Sequence, residues 1–283
     1  VYMVRAGLLK DVDAVIHWHP GDNNSADAST CTAVMQGMFR FYGKTAHAAG
    51  APERGRSSLD GVEAMNVMVN MMREHVDERS RIHYVITKGG LAANIVPDFA
   101  EVEYMVRHPD VTEVKQMWER VIKAAEGAAL GTGTTMKYEV ITGIYGLLPN
   151  ETLAKAMHSN LQKLGGVSYN ADEMAFANKL RESFETTKLP PLSRAAEIKP
   201  YRLGHFPAST DVGDISYVVP TAGLSTATWV PGTAAHTWQA AEVSHNRVVR
   251  VAICPPALSP EPRRFGSFPA STAHLRRHRA WGR

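Results

Sequence analysis

The feature that most constrains the fold is a run of four predicted strands and two predicted helices within residues 32–142. Residues 33–42 and 99–108 have apolar side chains recurring on one face, as strands packed on one side of a sheet require. Residues 81–88 and 134–142 are two further predicted strands. With one helix after the first strand and another after the third, the order is β-α-β-β-α-β. The block therefore predicts a ferredoxin-like split unit.

The two helices of this block have clear starts and one apolar face each. Ser57 is a candidate N-cap for the first helix, and Asp110 with Glu113 resembles a capping box for the second. Apolar residues then recur at helical spacing, at Val62, Met65, Val69 and Met72 in the first helix and at Val114, Trp118, Val121 and Ala125 in the second. Methionines at this spacing are more typical of a core than of a binding surface.

Shorter signals flank this block. Residues 12–20 predict a strand that ends in two histidines, and residues 150–164 predict a helix. Residues 1–10 have the pattern of a helix interior, without a capping residue ahead of it. Residues 184–207 are rich in polar residues and proline, which favours a long surface loop.

The positive charge of the chain lies in its last part. The net charge is +3, and residues 248–283 hold seven Arg and one Glu. This stretch has many prolines and no amphipathic period, so it predicts a disordered or out-of-frame tail. No nucleic-acid recognition motif accompanies the arginines, and we expect no nucleic-acid partner. No run approaches the roughly 20 apolar residues that span a bilayer, so no membrane partner is expected.

The cysteine count bears on the compartment. Cys31 and Cys254 are the two cysteines of the chain, too few for a disulfide framework. A reducing compartment is the default for such a sequence, and we expect a cytoplasmic location.

Histidines in three segments are candidates for chemistry. His17 and His19 are two residues apart on a predicted strand, so their rings share a face, and neutral imidazole is a good ligand for zinc or manganese. His47 lies among small residues in the loop after the first strand of the block, and His236 lies in a second loop near residue 240. On local grounds His47 also fits a turn on a solvated loop, and a pair of histidines alone is a weak metal signal.

The order of the motifs resembles that of a known family. G-K-T-A-H-A-A-G-x-P at residues 43–52, A-N-I-V-P at 93–97 and A-H-T-W at 235–238 accompany His19 and the β-α-β-β-α-β block. Together they resemble the dimeric two-metal aminoacylase and carboxypeptidase family, in its amidohydrolase branch. The resemblance covers residues 1–245.

The resemblance implies an α/β fold in several parts. It implies a partial metallopeptidase catalytic domain at residues 1–30 and 144–247, with an inserted ferredoxin-like lid and dimerisation domain at residues 31–143. Residues 248–283 would be the tail. A homodimer formed through the lid is the implied assembly.

The resemblance also implies roles for five residues. His19, rather than His17, aligns with the metal ligand that precedes the lid, and His236 aligns with the final metal ligand. His47 aligns with the lid histidine that reaches the neighbouring subunit's active site and holds the oxyanion of the scissile carbonyl. Asn94 and Arg107 align with the pair that holds the substrate and its carboxylate. The complete enzyme would bind two divalent metal ions, zinc or manganese.

Local alternatives remain for some of these residues. Arg107 also fits a surface ion pair with Glu101 or Glu103, and Asn94 fits a turn before a strand. Asp211 and Asp214 could orient metal ligands or cap the next element, and for Asp214 capping is the better interpretation.

The sequence departs from the family in its metal ligands. The family's early ligand pair and its adjacent acidic residues, one of them the general base, would precede Val1, so we expect a fragment that is incomplete as an enzyme. Two histidines are fewer than the three protein ligands of a catalytic zinc. The predicted function is a metal-dependent amidohydrolase acting on an N-acyl amino acid such as aminobenzoyl-glutamate. The alternative is a non-catalytic dimerisation or ligand-binding module derived from such an enzyme.

Overall fold

The computed structural model describes residues 2–186 and 188–244 of the chain. Its strands are β1 (Val15–Gly21), β2 (Ala28–Cys31), β3 (Ala33–Tyr42), β4 (Arg81–Lys88), β5 (Phe99–His108), β6 (Thr135–Ile144), β7 (Leu203–Phe206) and β8 (Thr221–Ala227). Its α-helices are α1 (Tyr2–Arg5), α2 (Ser58–Met72), α3 (Val111–Thr132), α4 (Glu151–Leu164), α5 (Ala171–Arg181), α6 (Gly213–Ser216) and α7 (Trp238–Ser244). The predicted tail, residues 248–283, lies outside the described residues.

A four-stranded antiparallel sheet forms the central part of the molecule. Its strand order is β4-β5-β3-β6, and α2 and α3 pack on one face. β3, β4 and β5 begin and end where the sequence predicts them, because each is a long run with clear boundaries. β6 extends two residues beyond its predicted end. The six elements occur in the predicted β-α-β-β-α-β order.

The core of this sheet lies between its inner face and the two helices. Ala100, Val102, Tyr104 and Val106 alternate along β5 and are fully buried. Phe39 of β3 packs against the Trp118 ring of α3 with their centroids 5.5 Å apart. Each large side chain buried here contributes about 1.5–3 kcal/mol relative to an exposed position. The alternation also assigns faces, since the neighbouring odd-numbered residues of β5 point to the opposite side of the sheet.

The helix starts follow the predicted N-caps at Ser57 and Asp110, but Asp110 and Glu113 do not form the predicted capping box, because the Asp110 side chain accepts from Thr112 instead. Ser57 accepts a hydrogen bond from the Asp60 backbone N–H, and Asp110 accepts one from the Thr112 backbone N–H. These bonds satisfy backbone donors that have no partner in the first turn of a helix.

Gly43 ends β3 where two backbone segments approach closely. A Cβ atom at this position would overlap the Arg56 carbonyl oxygen, so no residue with a side chain fits there. Lys44 and Arg56 then exchange two backbone hydrogen bonds of 2.8 and 2.9 Å. The glycine therefore allows the chain to turn into the loop that carries His47.

The remaining elements pair over long sequence separations. β1 lies parallel to β8, with Val15 opposite Thr221, and β2 lies parallel to β7. The prediction of a loop throughout residues 184–207 is wrong at β7, because four residues of that segment add a strand to β2. The predicted helix over residues 1–10 is present only as α1. Within the described residues, no helix is both long and apolar enough to cross a membrane.

Candidate active site

The loops that carry His47 and Asn94 lie side by side. His47 and Ile95 form an antiparallel bridge. The Ala48 backbone N–H donates to the Asn94 carbonyl oxygen at 3.0 Å, and the Val96 N–H donates to Ala46 at 2.9 Å. Two positions that are 47 residues apart in the sequence are therefore neighbours at one end of the four-stranded sheet.

Backbone donors fix the tautomer of the His47 ring. The N–H groups of Ala49 and Gly50 both point at His47 Nδ1, at 3.2 and 3.0 Å. Nδ1 must accept these bonds, so the neutral ring carries its proton on Nε2. The side chain is exposed, and Nε2–H is available as a donor to a ligand. This is the arrangement needed for a neutral donor to a developing oxyanion.

Arg107 lies at the other end of the sheet and has no acidic partner among the described residues. Its Nε and Nη2 atoms contact Met105 Sδ at 3.1 and 2.9 Å, and a thioether is only a weak acceptor. The alternative ion pair with Glu101 or Glu103 is not formed. Glu101 binds Arg40 Nε at 2.7 Å, and Glu103 accepts from Gln36. The guanidinium group is therefore available for an external carboxylate.

Asn94 and Arg107 are far apart within one chain. β5 separates them, and ten strand residues span about 34 Å at roughly 3.4 Å per residue. The structure brings Asn94 next to His47 and leaves Arg107 near the opposite end of the strands. A single small substrate cannot contact both ends within one subunit.

His19 has the local geometry of a metal-ligating histidine. Its Nδ1 lies 2.6 Å from the Pro20 carbonyl oxygen, so Nδ1–H donates, and in the neutral ring Nε2 is then the acceptor nitrogen. Metal-ligating histidines typically donate their second ring nitrogen in this way. The ring also meets the Trp229 ring edge-on, with centroids 6.4 Å apart. Trp229 lies in the loop that follows β8, the neighbour of β1.

His17 occupies a more enclosed position on the same strand. Its ring lies so close to Gly223 of β8 that a Cβ atom at this glycine would overlap His17 Nε2. That nitrogen is buried and has no hydrogen-bond partner among the described residues. Burial lowers the pKa of His17, as does the neighbouring His19, while Asp211 acts in the opposite direction.

His236 lies in the loop beyond β8 with an unusual backbone. Its φ of 61° is in the left-handed region, which is uncommon for a residue other than glycine. The side chain is exposed. Backbone conformations of this kind are concentrated at functional sites.

The described residues do not form a complete metal site. They contain no group of three or more His, Cys, Asp or Glu side chains that could hold an ion. His19 and His236 are the two predicted ligands, and a catalytic zinc has three from the protein. The hydrogen bond from His19 Nδ1 is the one local feature typical of a metal ligand. The two predicted histidines together provide too few ligands for a catalytic zinc.

Asp214 does not cap a helix, in contrast to the prediction. Helix α6 has no side-chain cap, and Asp214 Oδ2 is buried without a partner among the described residues. Burial raises the pKa of this carboxyl group. The environment arises from tertiary packing, for which the local sequence offers no signal.

None of the five predicted site residues lines a cavity of about 530 Å³ near the end of β5. Asp77, Arg79, His108 and Asp110 are among its lining residues. Hydrogen bonds from Arg79 hold the pKa of Asp77 well below its usual range, and His108 Nε2 also contacts Asp77 at 3.2 Å. His108 Nδ1 accepts from the Asp110 N–H at 3.0 Å. These polar groups satisfy one another, so we interpret the cavity as structural.

Two residues that lie beside Arg107 in the folded sheet were not predicted from the sequence. Arg81 lies directly opposite Arg107 in the β4–β5 register, and His83 follows on the same face of β4. Alternate polar residues on a strand usually indicate only a solvated face, and the sequence offered no further signal.

Comparison with known proteins adds a domain assignment. Residues 33–132 match the model of the peptidase dimerisation domain of the M20 type. The match spans β3 to the end of α3, and so includes His47, Asn94 and Arg107.

Similar proteins include hydrolases. The chain is 37% identical over 263 residues to a p-aminobenzoyl-glutamate hydrolase component of Escherichia coli (strain K12), an alignment that covers 84% of this chain and 55% of that protein. It is 27% identical over 219 residues to Xaa-Arg dipeptidase of Mus musculus, covering 77% of this chain and 44% of that protein. The chain spans about half the length of these relatives.

The fold is similar to that of a solved relative. The crystal structure of an aminobenzoyl-glutamate utilization protein from Klebsiella pneumoniae matches with a TM-score of 0.54 and 18% identity. The match covers 89% of this chain and 57% of that structure. The expected resemblance is thus confirmed: residues 33–132 match an M20-type peptidase dimerisation domain, and the chain is similar in sequence to a component of p-aminobenzoyl-glutamate hydrolase.

Proposed function

We propose that this chain is part of a metal-dependent amidohydrolase that cleaves the amide bond of an N-acyl amino acid such as aminobenzoyl-glutamate. The similarity to hydrolases supports the reaction class. The observation that carries the proposal is the His47 ring, held by two backbone N–H groups so that Nε2–H faces outward beside Asn94. A cytoplasmic location is part of the proposal, since two cysteines do not form a disulfide framework.

In the proposed organisation, residues 31–143 are an inserted lid and dimerisation domain, and residues 1–30 and 144–247 belong to a metallopeptidase catalytic domain. β4 is an edge strand of the lid sheet, with exposed Tyr84, Val85 and Ile86. On α2, Val67 is 52% exposed and Met71 is 67% exposed. An edge strand presents unpaired backbone groups, and a C₂ dimer satisfies them by antiparallel pairing of β4 with its copy.

This dimer would bring the separated residues together. In an antiparallel β4 pair, the Arg81 end of one strand lies beside the Lys88 end of the other. Asn94 follows Lys88 by six residues, and His47 contacts the Asn94 loop. The partner subunit's His47 and the partner subunit's Asn94 would then face Arg107. Each active site would use residues of both subunits.

The residues of this chain then have distinct roles. The Arg107 guanidinium binds the substrate carboxylate through two parallel hydrogen bonds. The His47 Nε2–H donates to the scissile carbonyl oxygen as negative charge develops there, and the Asn94 side chain helps to orient the same group. An oxyanion donor of this kind is worth about 3–4 kcal/mol of transition-state stabilisation.

His19 and His236 would hold a divalent metal, zinc or manganese, together with ligands that the described residues do not supply. Bound metal would supply polarisation of the carbonyl and activation of water. The complete enzyme would hold two such ions.

Two experiments test the proposal. The 283-residue chain should bind zinc weakly in a calorimetric titration, and His19→Ala or His236→Ala should abolish that binding while His17→Ala retains it. Binding that survives both substitutions would show that the metal residues are assigned wrongly.

The second experiment measures hydrolysis. A chimera that joins this chain to the part of the E. coli relative it does not cover should release p-aminobenzoate from aminobenzoyl-glutamate when loaded with metal. His47→Ala should reduce kcat about 100- to 1,000-fold. A chimera that binds metal but shows no turnover would favour a non-catalytic dimerisation or ligand-binding module, which the similarity to hydrolases does not support.

A further inference from the structure

Two arginines face each other on the outer side of the four-stranded sheet. Arg81 of β4 is directly opposite Arg107 of β5 in the strand register, so both side chains project from the same face. Like charges in this position destabilise a sheet when nothing neutralises them. Arg81 Nη1 donates to backbone carbonyls, at 2.8 Å to Glu78 and 2.7 Å to Ser80.

No carboxylate of the sheet is free to neutralise these arginines. The acidic residues of the four strands are Glu101, Glu103 and Glu139. Glu101 and Glu139 both bind Arg40, at 2.7 and 2.9 Å. Glu103 accepts a hydrogen bond from Gln36. Across the part of the chain that the structure describes, neither Arg81 nor Arg107 forms an ion pair.

His83 completes the basic cluster. It follows Arg81 by two residues on β4 and lies opposite Met105, the residue that Arg107 contacts. Its pKa is lowered by burial first and then by Arg107, Arg73 and Arg81. His83 therefore lies in the positive field of these arginines, and an anion bound there would favour its protonated form.

We propose that Arg81 and His83, beside Arg107, form a subsite for the second carboxylate of an N-acylated acidic amino acid. The inference rests on the proposed function, in which Arg107 binds the first carboxylate. It adds the residues that would select aspartate or glutamate conjugates over conjugates of neutral or basic amino acids.

The spacing of the strand residues suits two carboxylates on one small molecule. Directly opposed Cβ atoms lie about 5 Å apart, so the two guanidinium groups can reach carboxylates separated by two or three carbon atoms. Each planar guanidinium group offers a fork of donors that fits one carboxylate. A cationic side chain, such as the C-terminal arginine of a dipeptide, would instead meet the positive charge of Arg81.

The test compares the affinities of matched ligands for the 283-residue protein. Aminobenzoyl-glutamate and aminobenzoyl-glutamine differ only in the charge of the side-chain group, and their binding is measured by isothermal titration calorimetry. The unaltered protein should bind the glutamate conjugate roughly tenfold more tightly. Arg81→Gln should remove this preference, and Arg81→Lys should retain part of it.

Lys137→Gln is the matched control. Lys137 of β6 lies on the same face of the sheet, opposite Arg40 of β3. Its replacement by Gln changes the net charge by the same amount as Arg81→Gln. The control should keep the full preference for glutamate. Circular dichroism establishes that each variant is folded. If Arg81→Gln does not fold, competition on the unaltered protein replaces it, and glutarate should then displace the glutamate conjugate more strongly than butyrate does.

The outcomes separate the two proposals. If the unaltered protein binds both conjugates equally and Arg107→Gln weakens both, the carboxylate clamp stands and the second subsite is refuted. A preference for glutamate that survives Arg81→Gln also refutes the subsite. If neither conjugate binds, the proposed function and the subsite fail together.

Discussion

The proposed active site, which uses residues of both subunits, makes a quantitative prediction for mixed dimers. Arg107 and the His47–Asn94 pair lie towards opposite ends of β5, and the eight residue steps from Phe99 to Arg107 span about 27 Å at roughly 3.4 Å per residue. No N-acyl amino acid spans that distance, so in the proposed enzyme each site takes Arg107 from one subunit and His47 from the other. Two inactive variants, each altered at one of these positions, should therefore complement each other.

The magnitude follows from the two-fold symmetry. When His47→Ala and Arg107→Gln subunits of the chimera exchange freely in equal amounts, about half of the dimers are heterodimers. In each heterodimer one site contains both altered residues and the other contains neither. About a quarter of all sites should then be intact, and the mixture should recover roughly 25% of the unaltered activity.

The assay is release of p-aminobenzoate after subunit exchange. Each variant alone serves as a baseline, and sedimentation confirms that heterodimers form. If heterodimers form and activity stays at the baseline, both residues act within one subunit. A strict monomer at high micromolar concentration would remove His47 from the site altogether.

Three further predictions concern single residues. Arg107→Lys in the chimera should raise KM for aminobenzoyl-glutamate with kcat largely unchanged, lowering kcat/KM about ten- to a hundredfold; steady-state kinetics with a substrate amidated at the α-carboxylate should show no such loss. Asn66→Ala should lower the free energy of unfolding, measured by urea denaturation, by about 1–3 kcal/mol, because Asn66 Oδ1 accepts a hydrogen bond from the buried Tyr104 hydroxyl at 2.5 Å. Adding Tyr104→Phe removes the unpaired hydroxyl and should recover part of the loss. The pKa of His83 is lower in the folded state than in the unfolded state, so the unfolded state binds more protons. Stability should therefore fall as the pH drops below the unfolded pKa of about 6.5. His83→Gln should flatten this dependence between about pH 7 and 5, measured by thermal melting.

The central sheet was predictable because its signals are local. β3 and β5 have recurring buried positions over ten residues, and α2 has both a cap at Ser57 and an apolar stripe. Such patterns determine which side of each element is buried. They contain no information on pairing between distant segments, which is why the strand at Leu203–Phe206 was missed.

The candidate site was predictable only in part, for a related physical reason. The residue types at His19, His47, Asn94, Arg107 and His236 came from a resemblance in motif order. The His47 tautomer depends on backbone N–H groups whose direction the sequence does not specify. Arg81 becomes a candidate binding residue only because Arg107, which is 26 residues away in the sequence, lies directly opposite it in the sheet. An unpaired charge can be recognised only when all of its possible partners have been located.

The position of Arg81 on the edge strand links substrate binding to dimerisation. If β4 pairs with its copy, a ligand held by Arg81 and Arg107 of one subunit also contacts the partner subunit's Asn94, so it binds the dimer better than the monomer. By linkage, the factor by which dimerisation tightens ligand binding equals the factor by which the ligand tightens the dimer.

Aminobenzoyl-glutamate should therefore lower the dimer dissociation constant in sedimentation equilibrium. Arg81→Gln should reduce this effect without changing the dissociation constant of the ligand-free dimer, because the Arg81 guanidinium donates to backbone carbonyls of its own segment in the free chain. Equal dissociation constants with and without ligand would place the carboxylate site away from the subunit interface.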